Sequence, residues 1–215
     1  MALLERSTLP NAITVGRIIL APVVLFLIFV PTFTARLAAF ILFLVAAFSD
    51  LWDGYLARKH GWISDFGKLV DPLADKLLLV CTFVPFYVLS HRADGSGWIA
   101  GIGVLPLWVV LVIFGREALI TVIRSYAARR GIVIPAGKAG KQKAVFQNIF
   151  IGSCIFWYAL LSASQAKQWS GPAWNGWQWF HGWFNLTSLG IAVFLTVYSL
   201  LIYLIAWRRL IRSAA

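Results

Sequence analysis

The sequence predicts an all-α integral membrane protein: six transmembrane helices preceded by a short interfacial segment. Three observations lead there. Apolar residues fill 60% of the 215 positions and charged residues only 13%, with a mean hydropathy of +0.81, a balance outside the range of soluble domains. The apolar residues gather into six runs close to the roughly 20 residues a helix needs to cross a bilayer. The basic residues are also sorted by side: of the 19 Lys and Arg, only Arg36, Arg92 and Lys167 fall in the loops of one side. The other side carries both termini and the 58–68 and 126–143 loops, and is expected to be cytoplasmic. The formal charge of +11 therefore speaks for topology, anionic lipid and phosphorylated partners, and not for nucleic acid.

The elements follow in order. Residues 1–12 are polar and carry Pro10-Asn11 ahead of the first apolar run, a pattern expected to lie along the cytoplasmic interface. They lack a charged-then-apolar cleavable pattern, so no removable signal is expected. The spans are expected at 13–30, 35–57, 69–90, 98–125, 144–164 and 184–207, forming one domain over 1–215. The fourth is long enough to tilt or to leave the bilayer at its end. Pro72 either opens a helix with Asp71 as its cap or kinks a longer helix. The stretch 165–184, with Trp169, Trp174, Trp177, Trp179 and Trp183, reads as an aromatic belt on the outer side, and His181 within it as an interfacial side chain. His60 and His91 receive the same reading. Cys81 and Cys154 lie in apolar runs and read as small core residues without a disulfide.

Chemistry concentrates between residues 50 and 75. Asp50, Asp53, Asp71 and Asp75 are four of only eight acidic residues, and all four sit at the ends of apolar runs, where an ionisable group is costly and marks function by default. Asp50 and Asp53 share a helical stripe with Gly54 and Arg58, and Gly67, Asp71 and Asp75 form a second stripe at i, i+4, i+8. Four converging carboxylates call for a hard divalent cation, Mg²⁺ or Mn²⁺. A second constellation puts Arg116 and Arg124 eight residues apart on one helix face, with Glu117 beside them and Lys138, Lys141 and Lys143 following. Paired guanidinium groups suit a phosphate dianion. Asn11, Thr14 and Arg17 lie level with the carboxylates and are candidate substrate contacts, the alternative being a helix cap and a snorkelling arginine.

The pattern D-x2-D-G-x2-A-R-x8-G-x3-D-x3-D, formed by Asp50, Asp53, Gly54, Ala57, Arg58, Gly67, Asp71 and Asp75, resembles the signature of the CDP-alcohol phosphotransferases. The run Pro10 to Arg17, the pattern Arg116, Glu117, Ile120, Arg124, and then Gly140, Lys141, Lys143 and Gln147 resemble the branch that makes phosphatidylglycerophosphate. Ala144 departs from it, since a threonine is common there. The resemblance implies that family's membrane fold and transfer of a phosphatidyl group from CDP-diacylglycerol to sn-glycerol 3-phosphate, with loss of CMP. It further implies two ions held by Asp50, Asp53, Asp71 and Asp75, with Asp75 as general base. The donor would meet Asn11, Thr14, Gly54, Ala57, Arg58 and Gly67, and the acceptor phosphate Arg116, Arg124, Lys138, Lys141 and Lys143. A homodimer among membrane lipids is implied, in a bacterial cytoplasmic membrane, with the site on the cytoplasmic side. Inositol phosphate or a second phosphatidylglycerol stays open as acceptor. Two other classes also use intramembrane acids. A prenyltransferase spreads its acidic motifs over two distant parts of the chain, and a cation transporter gives Arg58 and Gly67 no role.

Overall fold

The computed structural model describes the backbone of residues 8–60, 65–130 and 138–214, and the side chains of 11–49, 52, 70–130 and 140–208. The site expectations at Asp50, Asp53, Gly54, Ala57, Arg58, Gly67 and Lys138 thus concern side chains outside the described residues, as does the expectation for His60.

Six helices form: α1 (Thr8–Phe29), α2 (Phe33–His60), α3 (Asp65–Ser90), α4 (Leu107–Arg129), α5 (Lys138–Lys167) and α6 (Pro172–Ala214). Among the described residues the only β pairing is an isolated bridge between Ile99 and Gly103. Four stretches are long and apolar enough to cross a membrane, Asn11–Phe29, Val70–Ser90, Gly140–Lys167 and Pro172–Arg208, which makes this a membrane protein. In α2 the apolar stretch that qualifies is the shorter Phe33–Ser49. In α4, Arg116, Glu117 and Arg124 interrupt the apolar run.

α5 is the axis of the bundle. Its middle turns are apolar apart from Ser153, and Phe150, Ile151, Cys154, Ile155, Trp157 and Tyr158 are all buried, as a helix with almost no polar face tends to be. α2 and α6 pack against it, α1 packs on α2 and α3, and α4 leans mainly on α6. Phe83, Phe86, Phe150 and Tyr158 fill the centre with ring centroids 5.8–6.4 Å apart, the tilted and edge-on packing that aromatic quadrupoles favour. Cys81 and Cys154 are buried free thiols, as expected.

Three features differ from the sequence reading. The fourth helix starts at Leu107, not near 98. Residues 98–106 instead form a tight turn in which Gly101 (φ +77°) and Gly103 (φ +73°) take left-handed backbone that a side chain disfavours. The turn is pinned beneath the bundle: Trp157 Nε1 donates to the Trp98 carbonyl (2.9 Å), Tyr158 Oη to the Gly97 carbonyl (2.8 Å) and the Leu105 amide to Ser90 Oγ (3.1 Å). Hydropathy does not register this turn because its residues are as apolar as the helix that follows. Second, the tryptophan-rich segment is itself helical from Pro172, which fits the first helical position, so α6 runs unbroken for 43 residues, about 65 Å. His181 is buried within it, its Nε2 within 3.1 Å of the Ser153 carbonyl and its ring 5.3 Å from that of Trp157. It is a packed core residue, not an interfacial one. Third, Arg36 is buried. Its Nε donates to the Ile28 carbonyl (3.1 Å), and its Nη1 to Ser162 Oγ (2.7 Å) and the Tyr158 carbonyl (3.2 Å). It thereby satisfies a carbonyl in the last turn of α1 that no intrahelical amide reaches.

Candidate active site

Pro72 lies inside α3, which begins at Asp65. Asp71 is therefore a mid-helix residue and not a cap, and Asp71 and Asp75 project one turn apart on the same face. Their partners come from α1. Thr14 Oγ1 donates to Asp71 Oδ1 at 2.6 Å. Arg17 Nη1 donates to Asp75 Oδ1 at 2.8 Å, and Arg17 Nη2 lies 3.7 Å from Asp71. The Arg17 side chain is only 2% exposed, whereas those of Asp71 and Asp75 are 48% and 57% exposed. Arg17 therefore does not snorkel. It is spent on orienting the two carboxylates, each about half exposed, at the space in front of them. Asn11, one turn before Thr14 on α1, is half-buried.

That space is a cavity of about 550 Å³ lined by all six helices. α4 contributes Arg116, Glu117, Thr121 and Arg124, α5 contributes Lys141, Lys143 and Gln147, and α6 contributes Ser199 and Tyr203. Glu117 accepts from Arg116 Nη1 (2.9 Å) and from Lys143 Nζ, and Arg116 Nη2 donates to Ser199 Oγ (3.1 Å). Lys76 reaches across from α3 to Thr121 Oγ1 (2.7 Å). The Arg124 guanidinium stands 5.7 Å from the centroid of the Tyr203 ring, within cation–π range. Among the described lining residues, six are cationic (Arg17, Lys76, Arg116, Arg124, Lys141, Lys143) and three anionic (Asp71, Asp75, Glu117). The surplus is positive, as a pocket for phosphorylated ligands requires.

Two donors in this wall, Arg116 Nε and Tyr203 Oη, are buried and have no hydrogen-bond partner among the described residues. A buried unsatisfied donor is costly and rare. Both line the one cationic cavity.

Residues 7–198 match the family model of CDP-alcohol phosphatidyltransferases. The chain belongs to that family. A relative from Rickettsia bellii, a CDP-diacylglycerol–glycerol-3-phosphate 3-phosphatidyltransferase, is 32% identical over 66% of this chain and 71% of its own. Relatives of the same name from Bacillus subtilis and Pseudomonas fluorescens are 34% and 35% identical, over 68% and 60% of this chain and 76% and 61% of theirs.

As a CDP-alcohol phosphatidyltransferase, the chain is an enzyme whose matched region spans α1 to most of α6. Among the residues named from sequence, the structure brings Thr14, Asp71, Asp75, Arg116, Arg124, Lys141 and Lys143 to one place. Lys143 and Arg116 share Glu117, so part of their charge is already balanced. Thr121, Ser199 and Tyr203 carry no motif and were not legible. The one available signal was Ser199 and Tyr203 standing one helical turn apart in an otherwise apolar run. No group of three or more metal-ligating side chains occurs among the described residues. The two described aspartates line the cavity as an all-oxygen donor set, and that set fits a hard divalent cation.

Proposed function

We propose that this enzyme transfers the phosphatidyl group of CDP-diacylglycerol to sn-glycerol 3-phosphate, forming phosphatidylglycerophosphate and CMP. The observation that carries the proposal is the single cavity in which a carboxylate pair, oriented by Thr14 and Arg17, faces a cationic wall with two unsatisfied donors. The names of the relatives from three bacterial genera support the same acceptor.

In this reading the terminal hydroxyl oxygen of glycerol 3-phosphate attacks the phosphorus that bears diacylglycerol. The P–O bond to CMP breaks and the electron pair leaves on CMP. The hydroxyl proton passes to Asp75. Asp50, Asp53, Asp71 and Asp75 would hold two Mg²⁺ or Mn²⁺ ions, which supply charge stabilisation to the phosphoryl and leaving oxygens. Arg17 keeps the Asp75 carboxylate turned to the acceptor, and Asn11, Thr14, Gly54, Ala57, Arg58 and Gly67 form the donor's seat. Arg116, Arg124, Lys138, Lys141 and Lys143 hold the acceptor's phosphate, joined by Tyr203 Oη. α2 and α4 complete a six-span bundle, the acidic groups of α2 and the charges of α4 being site residues at one end. The enzyme works as a homodimer in a bacterial cytoplasmic membrane, with its termini and site on the cytoplasmic face, in keeping with the basic loops on that side.

The test supplies CDP-diacylglycerol and Mg²⁺ to purified enzyme with labelled glycerol 3-phosphate, inositol phosphate or serine in parallel. Labelled lipid should form from glycerol 3-phosphate, and Asp75→Asn should lower its rate by roughly 10²–10⁴-fold. Product from inositol phosphate alone would overturn the acceptor while leaving the chemistry in place.

A further inference from the structure

The cations of the cavity wall are not equally available. Arg124 and Lys141 are exposed, whereas the side chains of Arg116 and Lys143 are only 11% and 6% exposed. Those two are also already engaged. Glu117 Oε1 accepts from both Arg116 Nη1 and Lys143 Nζ, and Arg116 Nη2 donates to Ser199 Oγ on α6. The carboxylate is the most exposed of the three, at 20%, and lines the cavity with them. One oxygen bound by a guanidinium and an ammonium is also what a phosphate oxygen would take in this place. A phosphate group and Glu117 therefore require the same donors.

The surroundings of α4 give the carboxylate a second position. Thr121, one turn beyond Glu117, donates to the Glu117 carbonyl (2.7 Å) and accepts from Lys76 Nζ of α3 (2.7 Å). A third cation thus stands one turn along the same face. A displaced carboxylate keeps a counter-charge there, and is not stranded unpaired in a partly buried place. A phosphate monoester above its second pKa of about 6 carries close to two negative charges. Against the single charge of the carboxylate, that surplus drives the exchange.

We propose that Glu117 is an internal counter-ion that competes with the acceptor's phosphate for Arg116 and Lys143, and so sets how loosely substrate and product are held. This assignment deepens the phosphatidyl-transfer reading and rests on it for the identity of the ligand. The product of that reaction retains the acceptor's phosphate. A wall with every cation free would grip substrate and product alike, and uniform binding of this kind adds nothing to turnover. Return of the carboxylate to Arg116 and Lys143 expels the phosphate after transfer.

The test compares wild type with Glu117→Gln, which keeps the size of the side chain and removes its charge. KM for glycerol 3-phosphate should fall roughly tenfold, the worth of one hydrogen bond to a charged group. Inhibition by added phosphatidylglycerophosphate should tighten by a similar factor. A damaged fold would not lower KM. A second measurement leaves the site unaltered. The chain has two glutamates, Glu5 and Glu117, so in a Glu5→Gln background a carbon-13 carboxyl label on glutamate reports Glu117 alone. Its infrared band should shift when inorganic phosphate is added and stay in place with chloride at equal ionic strength. An unchanged or raised KM, or a band indifferent to phosphate, would make Glu117 a fixed strut for the two cations and overturn the proposal. Absence of lipid product from glycerol 3-phosphate in both enzymes would instead fail the phosphatidyl-transfer reading, and the response of the band to inorganic phosphate would still decide the role of Glu117.

Discussion

Tyr203 and Arg17 line the same cavity with opposite hydrogen-bonding situations, and they answer mutation differently. The Tyr203 hydroxyl is buried without a partner among the described residues, so in the ligand-free enzyme it is a cost. Tyr203→Phe should leave the melting temperature unchanged or slightly raised while increasing KM for glycerol 3-phosphate roughly tenfold, the worth of one hydrogen bond to a charged group. A lowered melting temperature with unchanged KM would make the residue merely structural. Asp71 and Asp75 were legible in the sequence because acids scarcely occur in apolar runs without a task. Tyr203 was not, since a tyrosine in a membrane span looks like any amphipathic side chain and only the fold reveals what its hydroxyl faces. The same blindness applied to His181 and Arg36, whose partners, Ser153 and the Ile28, Tyr158 and Ser162 oxygens, come from packing that no local pattern encodes.

Among the elements, α4 and α6 deviate most from a hydropathy reading, and glycines explain one of the two. Gly101 lies against the backbone of α6, where an added Cβ would fall 2.1 Å from the Gly182 carbonyl oxygen, at a φ of +77°. Gly101→Ala should therefore destabilise by more than ~1 kcal/mol, measured as thermal unfolding in detergent. Gly176, in an ordinary turn of α6 with open space at its Cβ, makes the control: Gly176→Ala should stabilise by up to ~1 kcal/mol. Equal effects of the two would mean that contact with Gly182 does not hold the turn. All six helices were legible because each carries its own apolar run. Their ends were not: the 98–106 turn hides inside an apolar stretch, and the tryptophan segment continues a helix through what composition marks as an interface.

On the scale of the whole molecule, the asymmetry of charge and the site's position at one end of the bundle were readable in advance, although Arg36, counted among the outer cations, turned out to be a buried tie between α1 and α5. The proposed metal site would gather carboxylates of α2 and α3, which repel one another unless cations stand between them, so metal should bear on folding as well as on turnover. Adding Mg²⁺ at about a hundred times its Kd should stabilise the enzyme by ~2.7 kcal/mol over the chelated protein, seen as a rise in melting temperature, and chelation should abolish activity reversibly. Identical melting curves with Mg²⁺ and with chelator would sink the metal reading. The grip of α1 on α3 also has a consequence for biogenesis. Arg17 and its partner Asp75 are separated by 58 positions, and at synthesis rates of 5–20 residues per second the first helix leaves the ribosome roughly 3–12 s before that carboxylate is made. The newborn chain must hold a cation at the edge of the bilayer through that interval. Its first helix can lock home only when the acidic motif arrives, so the residues of the candidate site also time the assembly of the bundle.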